Sequence, residues 1–436
     1  MPNHKRIVLN TFGSFGDIHP YMALAIELRA RGHEPVIATS PLYREKIEGA
    51  GLKFAPIRPD MAPPKLQAQE LIEKIMEPKT GPRFLLEELI FPFLRDSYED
   101  LLETVSGADA LVTHPAAPAG PLVGRKTRIP WISTVLAPFS FFSAYDPPVP
   151  PFWSWTNKLR ILGPSVIKVF LDAMKRSYRP ESFDALREEL GLADCGNPLA
   201  EAQHSPTLVL ALFSSLFAKP QPDWPVHSHV TGFAFYDGRH EGVVPRELVD
   251  FLDSGSPPLV FTLGSSAVWV ARDFFTESIV AARSLGKRAV LLVGDERNMP
   301  DTLPDDVIAI DYAPYQSLLP RACAVVHHGG VGTTSQGLLA GVPTLIVPFA
   351  FDQVDNADHA RRLGTSRTLY QKKYAAGRLT KELGILLVES AYAQKAKAVS
   401  DLIKQEDGAV TACNLIEQLL AGVGDRSEEL VYASGN

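Results

Sequence analysis

Apolar residues in this chain fall in short unbroken runs, separated by longer stretches in which they recur every three or four positions. The run Ile7-Val8-Leu9 lies in a segment, 6–11, that reads as a buried strand. In 20–31, Tyr21, Leu24, Ala25 and Leu28 share one face while Arg29 and Arg31 point away, which predicts a helix. Pro20 suits its first turn and Gly32 its stop. A strand at 35–39 follows, then a helix opening at Ser40-Pro41 and ending near Gly49 and Gly51, and a strand at 109–113. The alternation restarts later, with strands at 259–263, 289–293, 307–310, 324–327 and 344–347 and helices at 273–285, 333–340 and 353–363. Strand–helix alternation predicts parallel sheets with helices on both faces. Its restart predicts two doubly wound, Rossmann-like α/β units with a cleft between them. The proline-rich passage K-P-Q-P-D-W-P at 219–225 runs on to a loop around Gly238. The predicted division is 1–225, a linker 226–245, 246–405, and a C-terminal helix in 406–436 that can pack back on the first unit, its end (424–436) a mobile tail.

Composition narrows the class. At 436 residues, 45% hydrophobic and 21% charged, the chain has the profile of a globular protein of two or three domains. A net charge of −7 argues against a general nucleic-acid binder, so an anionic ligand must be held by local donors. Cys195, Cys323 and Cys413 are widely spaced, which fits a reducing compartment and no disulfide framework. Neither an apolar leader nor a run long enough to span a bilayer is visible, so a cytoplasmic location is the default expectation.

Two glycine turns carry the candidate chemistry. The second, in H-H-G-G-V-G-T-T (327–334), joins a predicted strand to a predicted helix. Open amides at a helix N-terminus, backed by the helix dipole, make an anion site. Gly329, Gly330 and Gly332 allow close approach of a phosphate, and His328 with Thr333 and Thr334 adds side-chain donors. Such a turn can offset charge on a departing diphosphate without a metal. From Tyr312 to Ala357, through G-V-P and D-Q-V-D-N-A, the run resembles the donor signature of the bacterial UDP-glycosyltransferase superfamily. P-D-W-P, V-T-G-F at 230–233, L-G-S-S at 263–266 and G-D-I-H-P at 16–20 extend the resemblance over nearly the whole chain.

That resemblance implies a GT-B fold and an inverting transfer of a hexosyl group, glucose or rhamnose, from a UDP- or dTDP-sugar. The nucleotide sugar is a co-substrate, and no cofactor or metal is implied. Tyr312, followed by Ala313, stands where a tryptophan often stacks on the base. His328 and Thr333 match diphosphate contacts, Gly264 and Ser265 lie on the facing loop, and Asp352 and Gln353 match the pair that binds sugar hydroxyls. Gln336 occupies a position where many members carry a glutamate that accepts from both ribose hydroxyls. An amide is a weaker acceptor, which implies a relaxed need for the 2′-hydroxyl and tolerance of dTDP-sugars; a harmless exchange on the helix face is the alternative.

The first glycine turn, N-T-F-G-S-F-G-D-I-H-P-Y at 10–21, faces the acceptor in this family. The family pattern G-H-x-x-P puts a histidine base where this chain has Asp17, and a supporting aspartate where it has His114. Either residue could take the acceptor's proton with the other orienting it, or Asp17 could simply cap the helix. His19, beside Pro20, ranks below both. An aromatic and proline-rich stretch supplies the acceptor candidates Phe139, Phe141, Phe142, Tyr145 and Trp153, with self-packing of the loop as the alternative. A flat hydrophobic aglycone, phenolic, flavonoid or polycyclic, is the leading acceptor, and a sterol or lipid the next. Rival functions are a sugar-nucleotide epimerase or hydrolase and a non-catalytic partner of another transferase. The pair His327-His328 and the H-S-H at 227–229 lack a third ligand at useful spacing, so a metal site is not predicted.

Overall fold

The computed structural model describes residues 4–60, 65–151, 160–236 and 244–433. Among them are two wholly parallel sheets. The first contains β1 (Arg6–Asn10), β2 (Glu34–Thr39), β3 (Lys53–Pro56), β4 (Ala110–Thr113), β5 (Trp131–Val135), β6 (Leu208–Ala211) and β7 (Ser228–Val230), in the order β3-β2-β1-β4-β5-β6-β7. The second contains β8 (Leu259–Thr262), β9 (Ala289–Leu292), β10 (Val307–Ile310), β11 (Ala324–His327), β12 (Thr344–Ile346) and β13 (Ser366–Thr368), in the order β10-β9-β8-β11-β12-β13. In each sheet the strand order reverses once, between β1 and β4 and between β8 and β11. A crevice opens at such a reversal, because the helices after the two strands leave toward opposite faces.

Parallel strands need cover on both faces, and the short apolar runs supply it by alternation. Ile7, Leu9 and Ile37 enter one core of the first sheet, while Val8, Val36 and Ala38 enter the core on its other side. Leu259, Phe261 and Leu291 divide from Val260, Val290 and Leu292 in the same way across the second sheet.

Most of the predicted strands and helices are present with ends shifted by a residue or two. The exception that matters is the first helix, which spans Phe15–Ala30 and so begins five residues before Pro20. Ser14 starts it through a capping box: its hydroxyl accepts from the Gly16 amide (3.3 Å), while its own amide donates to Asp17 Oδ2 (2.7 Å). Pro20 lies inside this helix, where it removes the bond that Gly16's carbonyl would accept and its ring crowds that carbonyl. The helix predicted from Ser40-Pro41 is a short 3-10 turn, Pro41–Tyr43, followed by the helix Arg44–Gly49.

Within the segment predicted as linker, Ser228–Val230 instead pairs with β6 and closes the first sheet; the loop around Gly238 lies outside the described residues. The C-terminal helix, Gly408–Ala433, packs on the helix Phe15–Ala30. Ala412, Cys413, Ile416 and Leu420 complete the first unit's core. At the rim Arg31 donates to Asn414 (2.7 Å) and Glu417 (2.6 Å), and His33 Nε2 lies 2.9 Å from Glu417. Of the predicted tail, 424–433 continue this helix, since no proline or glycine follows Gly424 to stop it until the last residues, and 434–436 lie outside the described residues.

Ile416 is fully buried in that core. Replacing it with Ala should cost about 2–5 kcal/mol, read as a lower urea midpoint; an unchanged midpoint would show that the C-terminal helix adds nothing to the first unit's stability.

Candidate active site

The turn after β1 carries Asp17, and the turn after β4 carries His114, so both leave strands that border the first reversal. His114 Nε2 lies 3.4 Å from Asp17 Oδ1. The imidazole is almost fully buried, at 7% side-chain exposure, whereas the carboxylate is 32% exposed. Ala116's amide donates to His114 Nδ1 at 3.1 Å, so in the neutral ring the proton sits on Nε2 and points at Asp17. Asp17 Oδ2 is occupied by the Ser14 amide and hydroxyl. One oxygen therefore caps the helix and the other faces the histidine. Gly13 makes this possible: at φ 135° with no side chain it leaves room for the carboxylate, and a Cβ there would lie 2.2 Å from Asp17 Oδ2. His19 turns away, its ring stacked between Phe15 (5.4 Å) and Tyr236 (5.0 Å).

Across the second reversal, Gly264 and Ser265 follow β8, and His328 follows β11. His328 is held between two glycines. A Cβ on Gly264 would lie 2.5 Å from its Cε1, and one on Gly330 would lie 2.5 Å from its Nε2. Burial pushes His328 down to about 4, so the ring is neutral near pH 7. Its neighbour His327 is pushed down to about 3, by burial first and then by His328, and accepts the Gly329 amide on Nδ1 (3.1 Å).

The helix Val331–Ala340 opens directly beyond. Its first backbone bond runs from Thr334 N–H to the Gly330 carbonyl (2.9 Å), which leaves the amides of Val331, Gly332 and Thr333 without partners among the described residues. Thr334 Oγ1 and His328 Nδ1 are likewise buried without a partner. The Tyr315 hydroxyl lies 2.9 Å from Thr262 Oγ1, and Thr333 is near it.

Asp352 and Gln353 sit at the start of the helix Gln353–Arg362. Gln353 Oε1 accepts the amides of Phe349 (2.8 Å) and Ala350 (3.0 Å), which leaves only its NH2 end for a ligand. Asp352 Oδ2 accepts from Asn356 (2.7 Å), one helical turn on, and Asn356 also donates to the Gly329 carbonyl (3.0 Å). Asn356 thus ties Asp352 to the glycine turn that follows β11. It stands within D-Q-V-D-N-A, where its i+4 spacing from Asp352 is the signal that reveals the tie. Asp352 is pushed up to about 6, by loss of hydration and then by the charge of Asp17. Phe351, just before it, is held at φ 54°, a strained position for a bulky residue. Tyr312 is 53% exposed at the end of β10, Ala313 is buried, and Gln336 lies half-buried one turn along the phosphate helix.

The two halves meet closely, since a Cβ on Gly332 would lie 3.8 Å from the Cα of Gly16. The helix bearing Asp17 and the helix bearing the open amides therefore begin side by side. The aromatic loop divides. Phe141 belongs to the core: it stacks on Trp224 (3.9 Å, 15°), meets Phe213 edge-on and is 4% exposed. The expectation that it lines the acceptor site is corrected accordingly. Phe142, at φ 48°, packs with Phe139 (5.5 Å) and with Ala144, Ile167 and Leu171, while Tyr145 is 51% exposed. Trp153 lies outside the described residues. The P-D-W-P motif explains the loop's shape: Asp223 accepts from the Ser143 hydroxyl and the Ala144 amide (both 2.6 Å), and Trp224 holds Phe141. Phe141→Ala should therefore lose about 3–5 kcal/mol of stability, measured by chemical denaturation; near-wild-type stability with altered acceptor choice would return Phe141 to the pocket.

Comparison with known proteins agrees with this arrangement. The model of the glycosyltransferase family 28 N-terminal domain matches residues 7–98, and that of the erythromycin biosynthesis protein CIII-like C-terminal domain matches residues 284–410. An O-mycaminosyltylonolide 6-deoxyallosyltransferase from Streptomyces fradiae is 32% identical over 95% of this chain and 97% of its own. A sterol 3-beta-glucosyltransferase from Cryptococcus neoformans is 29% identical over 95% of this chain, which spans 27% of that longer protein. Among solved structures, the spinosyn forosaminyltransferase SpnP superposes with a TM-score of 0.69 at 18% identity, covering 96% of this chain and 100% of its own. The glycosyltransferase VinC in complex with dTDP gives 0.65 at 20%, covering 95% and 99%. These structures show the fold, and the family models and the Streptomyces relative show the lineage: the chain is a GT-B glycosyltransferase of the family 28/erythromycin CIII-like group, akin to the natural-product and sterol glycosyltransferases.

Proposed function

We propose that this glycosyltransferase moves a hexose or deoxyhexose from a dTDP-sugar to a hydroxyl of a bulky hydrophobic natural-product aglycone. The observation that carries the reading is the abutment of the helix bearing Asp17 on the helix whose Val331, Gly332 and Thr333 amides stand open. A nucleophile activated at the first has its leaving group stabilised at the second. The dTDP preference is supported by the neutral Gln336 and by the relatives whose structures hold that nucleotide. A macrolide-type acceptor is supported by the 6-deoxyallosyltransferase relative. The sterol reading rests on the fungal relatives. With Phe141 in the core, the flavonoid acceptor has the least support.

In the proposed step the acceptor oxygen attacks the anomeric carbon, and the bond from that carbon to the diphosphate oxygen breaks. The acceptor's proton passes to Asp17 Oδ1. Ser14 occupies Oδ2, and His114 steadies Oδ1 through its Nε2 proton. His114 positions the base and does not compete for the proton, since its only lone pair is taken by the Ala116 amide. The charge arriving on the diphosphate meets the open amides and neutral His328. Asp352 Oδ1 and the Gln353 amide group are the ends left to orient the sugar.

Mass spectrometry of products from dTDP- and UDP-sugars, with macrolide aglycones, sterols and phenols, tests the reading directly. Sugar release at an undiminished rate in every mixture, with no glycoside, would instead mark a hydrolase. Calorimetry should find dTDP bound at least as tightly as UDP; a large UDP preference would sink the role given to Gln336. Asp17→Asn should lower kcat by about 10²–10⁴ with dTDP affinity unchanged, and His114→Ala by less; the reverse order of severity would make His114 the base. Because His328 is neutral well above its pKa of about 4, dTDP affinity should stay level from about pH 7.5 to about 9. A fall of about tenfold per pH unit would mean that it binds as an imidazolium.

A further inference from the structure

The helix Gln353–Arg362 starts at the sugar-side pair and is polar on a face that the sequence pattern assigns to solvent. Asp355, Asp358, His359 and Arg362 recur at i, i+3, i+4 and i+7, which places them on one stripe. Yet Asp355 and His359 are each only 2% exposed at the side chain, and Asp358 5%. Buried polar groups need hydrogen-bond partners, so the stripe needs a partner surface. That surface is the segment following the aromatic loop of the first unit. The Val149 amide donates to Asp355 Oδ1 at 2.9 Å. Arg160 bridges Asp146 (3.0 Å) and Asp358 (2.8 Å), and Arg362 reaches back to Asp146 at 3.1 Å. His359 Nε2 lies between Asp146 (3.6 Å) and Asp355 (3.8 Å). The contacts join elements more than 190 positions apart in the chain.

We propose that Asp355 is a positioning residue, whose bond to the Val149 amide locks the acceptor-side loop 143–149 onto the helix that presents Asp352 and Gln353 to the sugar. This rests on the roles proposed above for those two sites. Asp355 lies one turn from Asp352 on the same helix, and loop 143–149 is anchored at its other end by Asp223. A rigid span therefore runs from the acceptor loop to the sugar pair. With the lock intact, the acceptor hydroxyl and the anomeric carbon arrive in one register, and small losses of register are expensive in bimolecular transfer. With it loosened, a water molecule needs no such register: its oxygen bonds the anomeric carbon, the diphosphate leaves, and one water proton passes to Asp17. Glycoside formation falls while hydrolysis of the donor persists. Asp355→Asn keeps the side-chain volume and an oxygen for the Val149 amide, whereas Asp355→Ala loses both.

The experiment follows glycoside and free sugar together by NMR, with dTDP-glucose and the macrolide, sterol or phenol that the wild-type protein glycosylates fastest. Asp355→Ala should lower the glycoside rate about tenfold or more while free-sugar release stays within about twofold. Asp355→Asn should restore most of the wild-type ratio. Equal loss of both products in Asp355→Ala, leaving their ratio unchanged, would show a general structural role and overturn the proposal. Arg362→Gln breaks the half-exposed end of the same lock and should shift the ratio in the same direction, which keeps the test decisive if Asp355→Ala fails to fold. Absence of any glycoside from the wild-type protein would overturn the acceptor reading itself, an outcome distinct from an unchanged ratio.

Discussion

The whole site depends on one geometric constraint: two parallel sheets each reverse strand order once, and the two reversals face each other. Two pairs of the turns that carry candidate chemistry leave strands at those points. Asp17 and His114 follow β1 and β4; Gly264 and His328 follow β8 and β11. Helices leaving a reversal diverge, so a crevice is left that no side chain of the core fills. The glycines then set how tightly the crevice can be built. Gly13 admits the Asp17 carboxylate, Gly264 and Gly330 clasp the His328 ring, and Gly332 lets the second helix begin against Gly16. A methyl group at any of the first three would meet an atom at 2.5 Å or less.

Charge handling follows from the same burial. The chain carries a net −7, and the described residues contain no cluster of three metal-ligating side chains. The glycine turn before the helix Val331–Ala340 offers partial charges: open amides, a helix dipole, and an imidazole that burial keeps neutral. A helix N-terminus contributes about 0.3–1 kcal/mol toward an anion at an exposed site and up to about 2 when partly buried. Aimed at charge that develops in a water-poor cleft, a single donor is worth about 2.7–4 kcal/mol. Preorganised neutral donors favour the leaving diphosphate over the bound ground state, because they need no rearrangement as the charge arrives. Asp352 sits near the Asp17 charge and is held at about 6 by burial, so the two carboxylates are not equivalent.

The acceptor side shows how structural and functional demands share a short segment. Phe141 stacks into the core on Trp224, while Phe142, next in sequence, is turned by a left-handed backbone into a separate cluster with Ile167 and Leu171. The loop then passes Asp223, which pins Ser143 and Ala144, and reaches the buried charge network around Asp355. Its shape is set at both ends by polar contacts with residues distant in the chain.

The alternation of apolar runs and amphipathic stretches was enough to establish two doubly wound units, eight of the thirteen strands among the described residues, and the two glycine turns; the interior strands β5 and β6 went unpredicted. These are local properties, because periodicity and glycine spacing reflect the chain's own geometry. The donor motif was legible for the same reason, since its residues lie within one strand–turn–helix unit. Short edge strands such as β3, β7 and β13 were not, for they contain as few as three residues and owe their pairing to neighbours. Nor could sequence decide whether Asp17 only caps a helix: one of its oxygens does so, and the other faces His114. The burial of Phe141 and the polar stripe that joins loop to helix depend on contacts between residues up to 216 positions apart. Burial and pairing at that range are properties of the packed molecule, and so only the tertiary structure decides them.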